Sequence, residues 1–221
     1  MRQTMIAATA ALALGAAASV QPAFASDSGH AAQHLVNQSV PVVRQIKQQP
    51  HFDALLKQAK GIFIMPTHVK GALGIGGAGG QGVLLARGAN GGWSDPAFLT
   101  LGSISLGAQA GGKAGPTVML LMTDKALNDF TQANNFSLNA NAGLTIVDYS
   151  AQGQAPVGKG DVIIWSNDKG AFAGADVSAT DITVNKGEDK AFYGRSVSAT
   201  QILHGQVTSP KAAKLRTALP L

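Results

Sequence analysis

The sequence predicts an α+β fold: a single domain built on a curved, mainly antiparallel, glycine-rich β-sheet with N-terminal helices packed on it. Three observations carry the prediction. Glycine is dense, 27 among 221 residues, and much of it falls in residues 61–112, where no helix-length apolar face occurs. Glycine weakens helices and strand interiors unless the backbone needs positive φ, a bulge or a close approach. Ile75, Val83, Leu84, Leu85, Phe98 and Leu101, set among those glycines, therefore read as bent strands joined by tight turns. Ahead of this block, Phe52, Leu55, Leu56 and Ala59 recur at helical spacing; beyond it, Phe136 to Ile146 alternates apolar and polar residues as a half-buried strand does.

Element by element, the chain opens with a run that fits a secretory signal. Arg2 supplies a charged start, Met5 to Val20 is apolar, and Ala23-Phe24-Ala25 has the small-x-small form of a cleavage site. The run is shorter than the ~20 apolar residues that a membrane span requires. The expected organisation is a signal peptide over 1–25, a helical segment over 26–50, the domain proper over 51–207 and a tail over 208–221 with helical character. Export to a bacterial periplasm or to the exterior is the expected localisation.

In the 26–50 segment Leu35, Val36, Val42, Val43 and Ile46 form one face, with Arg44 and Lys47 on the other. Pro41 predicts an interruption, with Ser39 capping a second helical piece that tolerates proline in its first turn. The apolar face is thin and has no Trp or Phe, which favours packing on the domain over lying in a membrane interface. A firmer helix follows Pro50, with Gly61 placed to end it. Ile62 to Met65 and Gly82 to Arg87 read as strands, with a turn at Ala89 to Gly92.

Between Phe98 and Ala110 the apolar positions change phase, from Leu99 and Leu101 to Ile104 and Leu106. A period-two pattern that changes phase has to insert a residue, so a bulge is expected at Gly102-Ser103. Val118 to Met122 is apolar throughout, as in a strand buried on both faces. Thr123 or Asp124 caps the next helix, with Leu127 and Phe130 inward. Phe136 to Ile146 is expected as one strand, Val162 to Trp165 and Ala171 to Val177 as a hairpin, and Ile182 to Val184 as a short strand. Glu188 to Phe192 and Lys211 to Leu219 close the chain as a helical turn and a terminal helix.

Several motifs resemble the SYLF domain family. They are Lys70-Gly71, the run from Gly74-Ile75-Gly76-Gly77 to Gly82-Val83, Gly92-Trp93-Ser94-Asp95-Pro96-Ala97-Phe98, and Gly107-Ala108-Gln109-Ala110-Gly111. Lys169-Gly170-Ala171-Phe172-Ala173-Gly174, Ala191-Phe192-Tyr193-Gly194 and Val197-Ser198-Ala199-Thr200-Gln201-Ile202-Leu203 continue the likeness, which runs from about Phe52 to Gly205. The resemblance implies a non-enzymatic protein without cofactors that binds anionic lipid membranes, as eukaryotic members bind phosphoinositides. The alternative it implies is a protein-interaction or scaffold module, after the actin-binding members.

Composition narrows the chemistry. Cysteine is absent, which excludes disulfides, thiol catalysis and thiolate metal sites. The net charge of +5 favours anionic surfaces. There is no basic run and no interleaving of aromatic with basic residues, so nucleic acid is not expected as a partner.

Gly74-x-Gly76-x-x-Gly79 matches the dinucleotide-binding string, yet a strand rather than a helix follows it, which removes its physical basis. Ser94, Asp95 and His68 lack any nucleophile elbow, and Trp93 to Pro96 reads as a turn with Asp95 as its cap. His30 and His34 share a helix face but lack further ligands for a metal.

The expected lipid-binding residues are Lys70, Arg87, Lys113 and Lys169, at turns that flank the glycine-rich strands, with Trp93 beside them. Arg44 and Lys47 on the N-terminal helix are the next set. Four solvated charges and a Trp in the core are the competing reading of the first group.

Overall fold

The computed structural model describes residues 24–70, 78–106, 115–131, 136–138, 144–149, 160–167 and 177–221. Helices α1 (Phe24–Ile46) and α2 (Phe52–Gln58) lead into strands β1 (Gly61–Met65), β2 (His68–Lys70), β3 (Ala78–Ala86), β4 (Ala97–Leu106) and β5 (Thr117–Leu121). Helix α3 (Asp124–Thr131), β6 (Phe136–Leu138), β7 (Ile146–Asp148), β8 (Val162–Ser166) and β9 (Val177–Val184) follow. The chain ends with α4 (Lys186–Tyr193), α5 (Ala199–Leu203), a 3₁₀ turn (Pro210–Ala212) and α6 (Ala213–Ala218).

These strands form a nine-stranded sheet in the order β6-β9-β4-β3-β1-β5-β8-β7, with β2 added alongside β3. All its pairings are antiparallel except that of β7 with β8. The expected α+β class is therefore observed, and so is the packing of the N-terminal helices. One face of the sheet, presenting Ile62, Ile64, Val83, Leu85, Val118 and Leu120, is covered by α1, α2, α4 and α6. The other face, with Phe63, Met65, Leu84, Met119 and Leu121, is covered by α3 and α5. Because both faces are dry, β1 and β5 are buried at every position, which is why they read as unbroken apolar runs.

The phase change in β4 is a ladder irregularity at the expected place. Gly80 pairs with Leu101 but Ala78 with Ile104, so β4 spends one more residue than β3 across Gly102-Ser103. Strand β9 stays in step with β4 through this region. It has its own extra residue against β6, between Phe136↔Ile182 and Leu138↔Ala179. The two strands thus bend together. Gly79 stands at this bend, and a Cβ there would lie 2.9 Å from the Gly102 carbonyl oxygen. Leu101 is buried as expected; the side chain of Ile104 lies outside the described residues.

Three expectations are corrected. Helix α1 is continuous through Pro41, and Ser39 does not cap a second piece: its hydroxyl donates to the Leu35 carbonyl at 2.9 Å inside the helix. Asn37, whose carbonyl loses its helical partner to Pro41, is exposed to water, while Val36, Val42 and Val43 anchor both sides of the proline. Helix α2 stops at Gln58, and Gly61 opens β1 instead; a Cβ there would meet Leu127 at 2.9 Å.

Phe136 to Ile146 is not one strand, since β6 and β7 lie at opposite edges of the sheet and β7 runs parallel to β8. Of the expected hairpin, Val162 to Trp165 is observed within β8, which pairs with β5 and β7, whereas the return segment 171–176 lies outside the described residues. Val177, expected at the end of that return strand, instead starts β9 and pairs with Leu106.

Candidate functional site

Helix α1 places Val40, Arg44 and Lys47 on one stripe, four and three residues apart, which brings them to the same face. Helix α6 does the same with Lys214, Thr217 and Ala218. The helices lie side by side because their inner faces, Val43 and Ile46 on one and Leu215 on the other, enter the same core. Between the outer stripes runs an open groove of about 630 Å³ lined by these six residues.

Lys47 Nζ donates to the Ala218 carbonyl at 3.4 Å, joining the two walls. Arg44, Lys47 and Lys214 are all exposed. Among the described residues the ion pairs lie elsewhere, at Lys60–Asp124, Lys125–Asp129 and Arg216–Asp95, so no carboxylate neutralises the groove. Three cations lining one open groove give it a positive character suited to an anion.

Arg87 and Trp93 do come together, but face inward. The guanidinium lies 4.4 Å from the centre of the indole ring. Its nitrogens donate to the carbonyls of Leu56 at 2.7 Å, Gly91 at 2.6 Å and Ala59 at 3.3 Å. Arg87 therefore closes the last turn of α2, whose final carbonyls have no helical partners, and holds the β3–β4 turn. Burial pulls its pKa below the ordinary arginine value. Trp93 is buried, and its indole N–H donates to the Pro220 carbonyl at 2.8 Å, pinning the C-terminus to the core.

Lys70 does not join them. It pairs with Ala78 at the start of β3, whereas Arg87 follows the end of that nine-residue strand. At ~3.3 Å per residue the two lie on the order of 30 Å apart along the strand. Lys113 and Lys169 lie outside the described residues. Of the expected site residues that are described, the structure gathers Arg44 and Lys47 into an exposed basic site. Lys214 is the residue that sequence reasoning missed. Its outward position follows from the inward Ala212, Leu215 and Leu219 of the same segment, but not its neighbours on α1.

The other motifs have structural partners. Ser94 Oγ accepts the Ala86 N–H at 3.0 Å and donates to the Asp95 carbonyl. Asp95 does not cap its own turn: its buried carboxylate accepts the Ser209 N–H and lies 3.0 Å from Arg216 Nε. Burial raises its pKa, against the opposing pull of the Ser209 N–H and the Arg216 charge. Gly79 lies in β3, which continues as strand through Val83. His30 and His34 are exposed, and the described residues hold no group of three His, Asp or Glu side chains placed to bind a metal. No helix among the described residues is long and apolar enough to cross a membrane.

The fold is thus a sheet enclosed by helices, with one open groove lined by Arg44, Lys47 and Lys214. The family model described as Ysc84, "Las17-binding protein actin regulator", matches residues 102–220, more than half of the chain. The chain belongs to this family, the one to which the SYLF resemblance pointed. It is 30% identical over 164 residues to Protein YSC84 of Saccharomyces cerevisiae, covering 72% of this chain and 35% of that protein. The figures for LAS seventeen-binding protein 3 of the same organism are 30% over 163 residues, with the same two coverages. For SH3 domain-containing YSC84-like protein 1 of Bos taurus they are 25% over 163 residues, 72% and 48%. The chain thus spans between about a third and a half of these relatives. No solved structure matches it.

Proposed function

We propose that this chain is a non-enzymatic protein-interaction module whose α1/α6 groove receives an acidic surface of a partner protein. The observation that carries the reading is the gathering of Arg44, Lys47 and Lys214 around one open groove, with no ion pair to any of them among the described residues. Support comes from the family description, Las17-binding protein actin regulator, and from the relative named LAS seventeen-binding protein 3. A second reading, an anionic lipid surface, is favoured by the same cations, each worth roughly 1 kcal/mol close to such a surface.

One experiment separates the two. Binding of a fluorescent hexaglutamate peptide and co-sedimentation with phosphatidylglycerol or phosphatidylcholine vesicles are compared for the wild type and for the triple variant Arg44→Glu, Lys47→Glu, Lys214→Glu. Peptide binding lost in the variant supports the first reading, and binding confined to anionic vesicles supports the second. Binding of either probe that survives all three reversals refutes the groove.

Export belongs to the same proposal. Removal of residues 1–25 would trim the start of α1 and leave its buried positions, from Ala32 to Ile46, untouched. The secreted or periplasmic protein should then begin at Ser26 by intact mass. A cytoplasmic species that retains Met1 would overturn this.

A further inference from the structure

A second group of charges lies beneath the helices that flank the groove. Asp189, on α4, is fully buried. Its Oδ1 accepts the Phe98 N–H of β4 at 3.0 Å, while its Oδ2 has no hydrogen-bond partner. Next to it, Glu188 Oε2 is also buried and unpartnered. Tyr193, one turn on, donates its hydroxyl to the Pro96 carbonyl at 2.8 Å and feels the charges of both Asp95 and Asp189.

Asp95 reaches this cluster from the segment before β4, and Arg216 from α6. Lys211, just before α6, donates to the Phe192 carbonyl at 3.1 Å and lies over the Phe192 ring. Helix α1 packs on α4 too, but the buried positions among its described side chains are apolar apart from Ser39, and His30 and His34 face water. Lys186 and Lys190 of α4 are exposed. Three acidic side chains thus share one buried region with a single guanidinium.

We propose that Asp189 is a proton-controlled latch: the neutral carboxyl seats α4 against β4, and its ionisation loosens α4 and, through Phe192 and Lys211, the C-terminal segment that ends in α6. The unpartnered oxygen is the reason. A carboxyl with one hydrogen bond tolerates burial as the neutral acid, whereas the carboxylate needs further donors or water. Burial, together with the negative charge of Glu188, pushes the Asp189 pKa up to about 7, despite the opposing Phe98 N–H bond. Burial raises Glu188 in the same sense.

The folded state therefore holds a proton that the unfolded chain releases near the ordinary aspartate value of 3.8. Stability is fully present below that value, falls as pH rises towards the folded pKa, and levels off above it. Each pH unit within the window weakens folding about tenfold for one such proton. The consequence is mechanical: α6 carries Lys214, so a loosened α6 moves one wall of the groove.

The test uses the full exported chain. A carbon-13 titration of the aspartate carboxyls should show one buried group with a midpoint above 6, missing in Asp189→Asn. Amide exchange, corrected for its intrinsic pH dependence, should quicken at least tenfold in α4 and α6 between pH 5.5 and 8 in the wild type. It should stay level in Asp189→Asn. A wild-type midpoint below 5, or exchange in α6 indifferent to pH, overturns the proposal. Both readings come from the wild type, so they stand even where the variant folds poorly.

Discussion

Replacing Arg87 by lysine separates a structural cation from a ligand-binding one. Lysine keeps the charge, so any purely electrostatic surface role survives. It loses the planar fork that serves the carbonyls of Leu56 and Gly91 at 2.7 and 2.6 Å and the weaker third contact to Ala59. A charged hydrogen bond contributes about 1.5–3 kcal/mol when buried, and this partly buried site belongs at the low end. An ammonium group replaces one of the two short bonds, and about 0.5–1 kcal/mol of stacking on Trp93 is weakened.

The expected cost is about 2 kcal/mol, a fall in melting temperature of roughly 4–8 °C for a chain of this size. Thermal unfolding followed by far-ultraviolet circular dichroism measures it. Trp93 fluorescence should shift to the red as the indole loses its cover. A variant that melts within a degree of the wild type would refute the assignment of Arg87 to the end of α2. It would return the residue to the surface role that its position in the sequence implied.

Other perturbations follow from single contacts. Gly82→Ala places a Cβ 2.4 Å from the Phe63 ring and 2.6 Å from the Ile64 carbonyl oxygen, and should cost about 2–3 kcal/mol in urea unfolding. Gly91→Ala meets open space but a φ of +80°, so only backbone strain of about 1 kcal/mol is expected; equal costs at the two glycines would show that β1 and β3 are not packed as described. Asp161 accepts the Thr145 N–H and the Thr123 hydroxyl, each at 2.8 Å, and the first of these does most to pull its pKa below 3.8. Its contribution should therefore be present above that value and fade as the solution is acidified through the lowered pKa. Acid unfolding of Asp161→Asn should lack this component, and an unchanged acid limb would count against it.

The sequence by itself determined the class of fold and much of its local detail. Buried strands β1 and β5 were legible because burial on both faces leaves no polar positions. The bulge at Gly102-Ser103 was legible because a strand cannot change phase without an extra residue. The cap at Thr123 was equally local: its hydroxyl accepts the Ala126 N–H at 3.2 Å. The outward cations Arg44 and Lys47 followed from the helical repeat of their apolar neighbours.

Pairing was decided only by the tertiary structure. Phe136 to Ile146 alternates cleanly, yet its two ends belong to opposite edges of the sheet, because alternation specifies which side of a strand is buried and not which strand it joins. The charge on Arg87 was visible, but its task depended on α2 ending beside it in space. Likewise, Lys214 became part of a groove with Arg44 and Lys47 because Val43, Ile46 and Leu215 share one core. Local residue order sets periodicity and capping, whose reach is a few residues. A site assembled from helices at the two ends of the chain is set by apolar packing, and that appears only once the chain has folded.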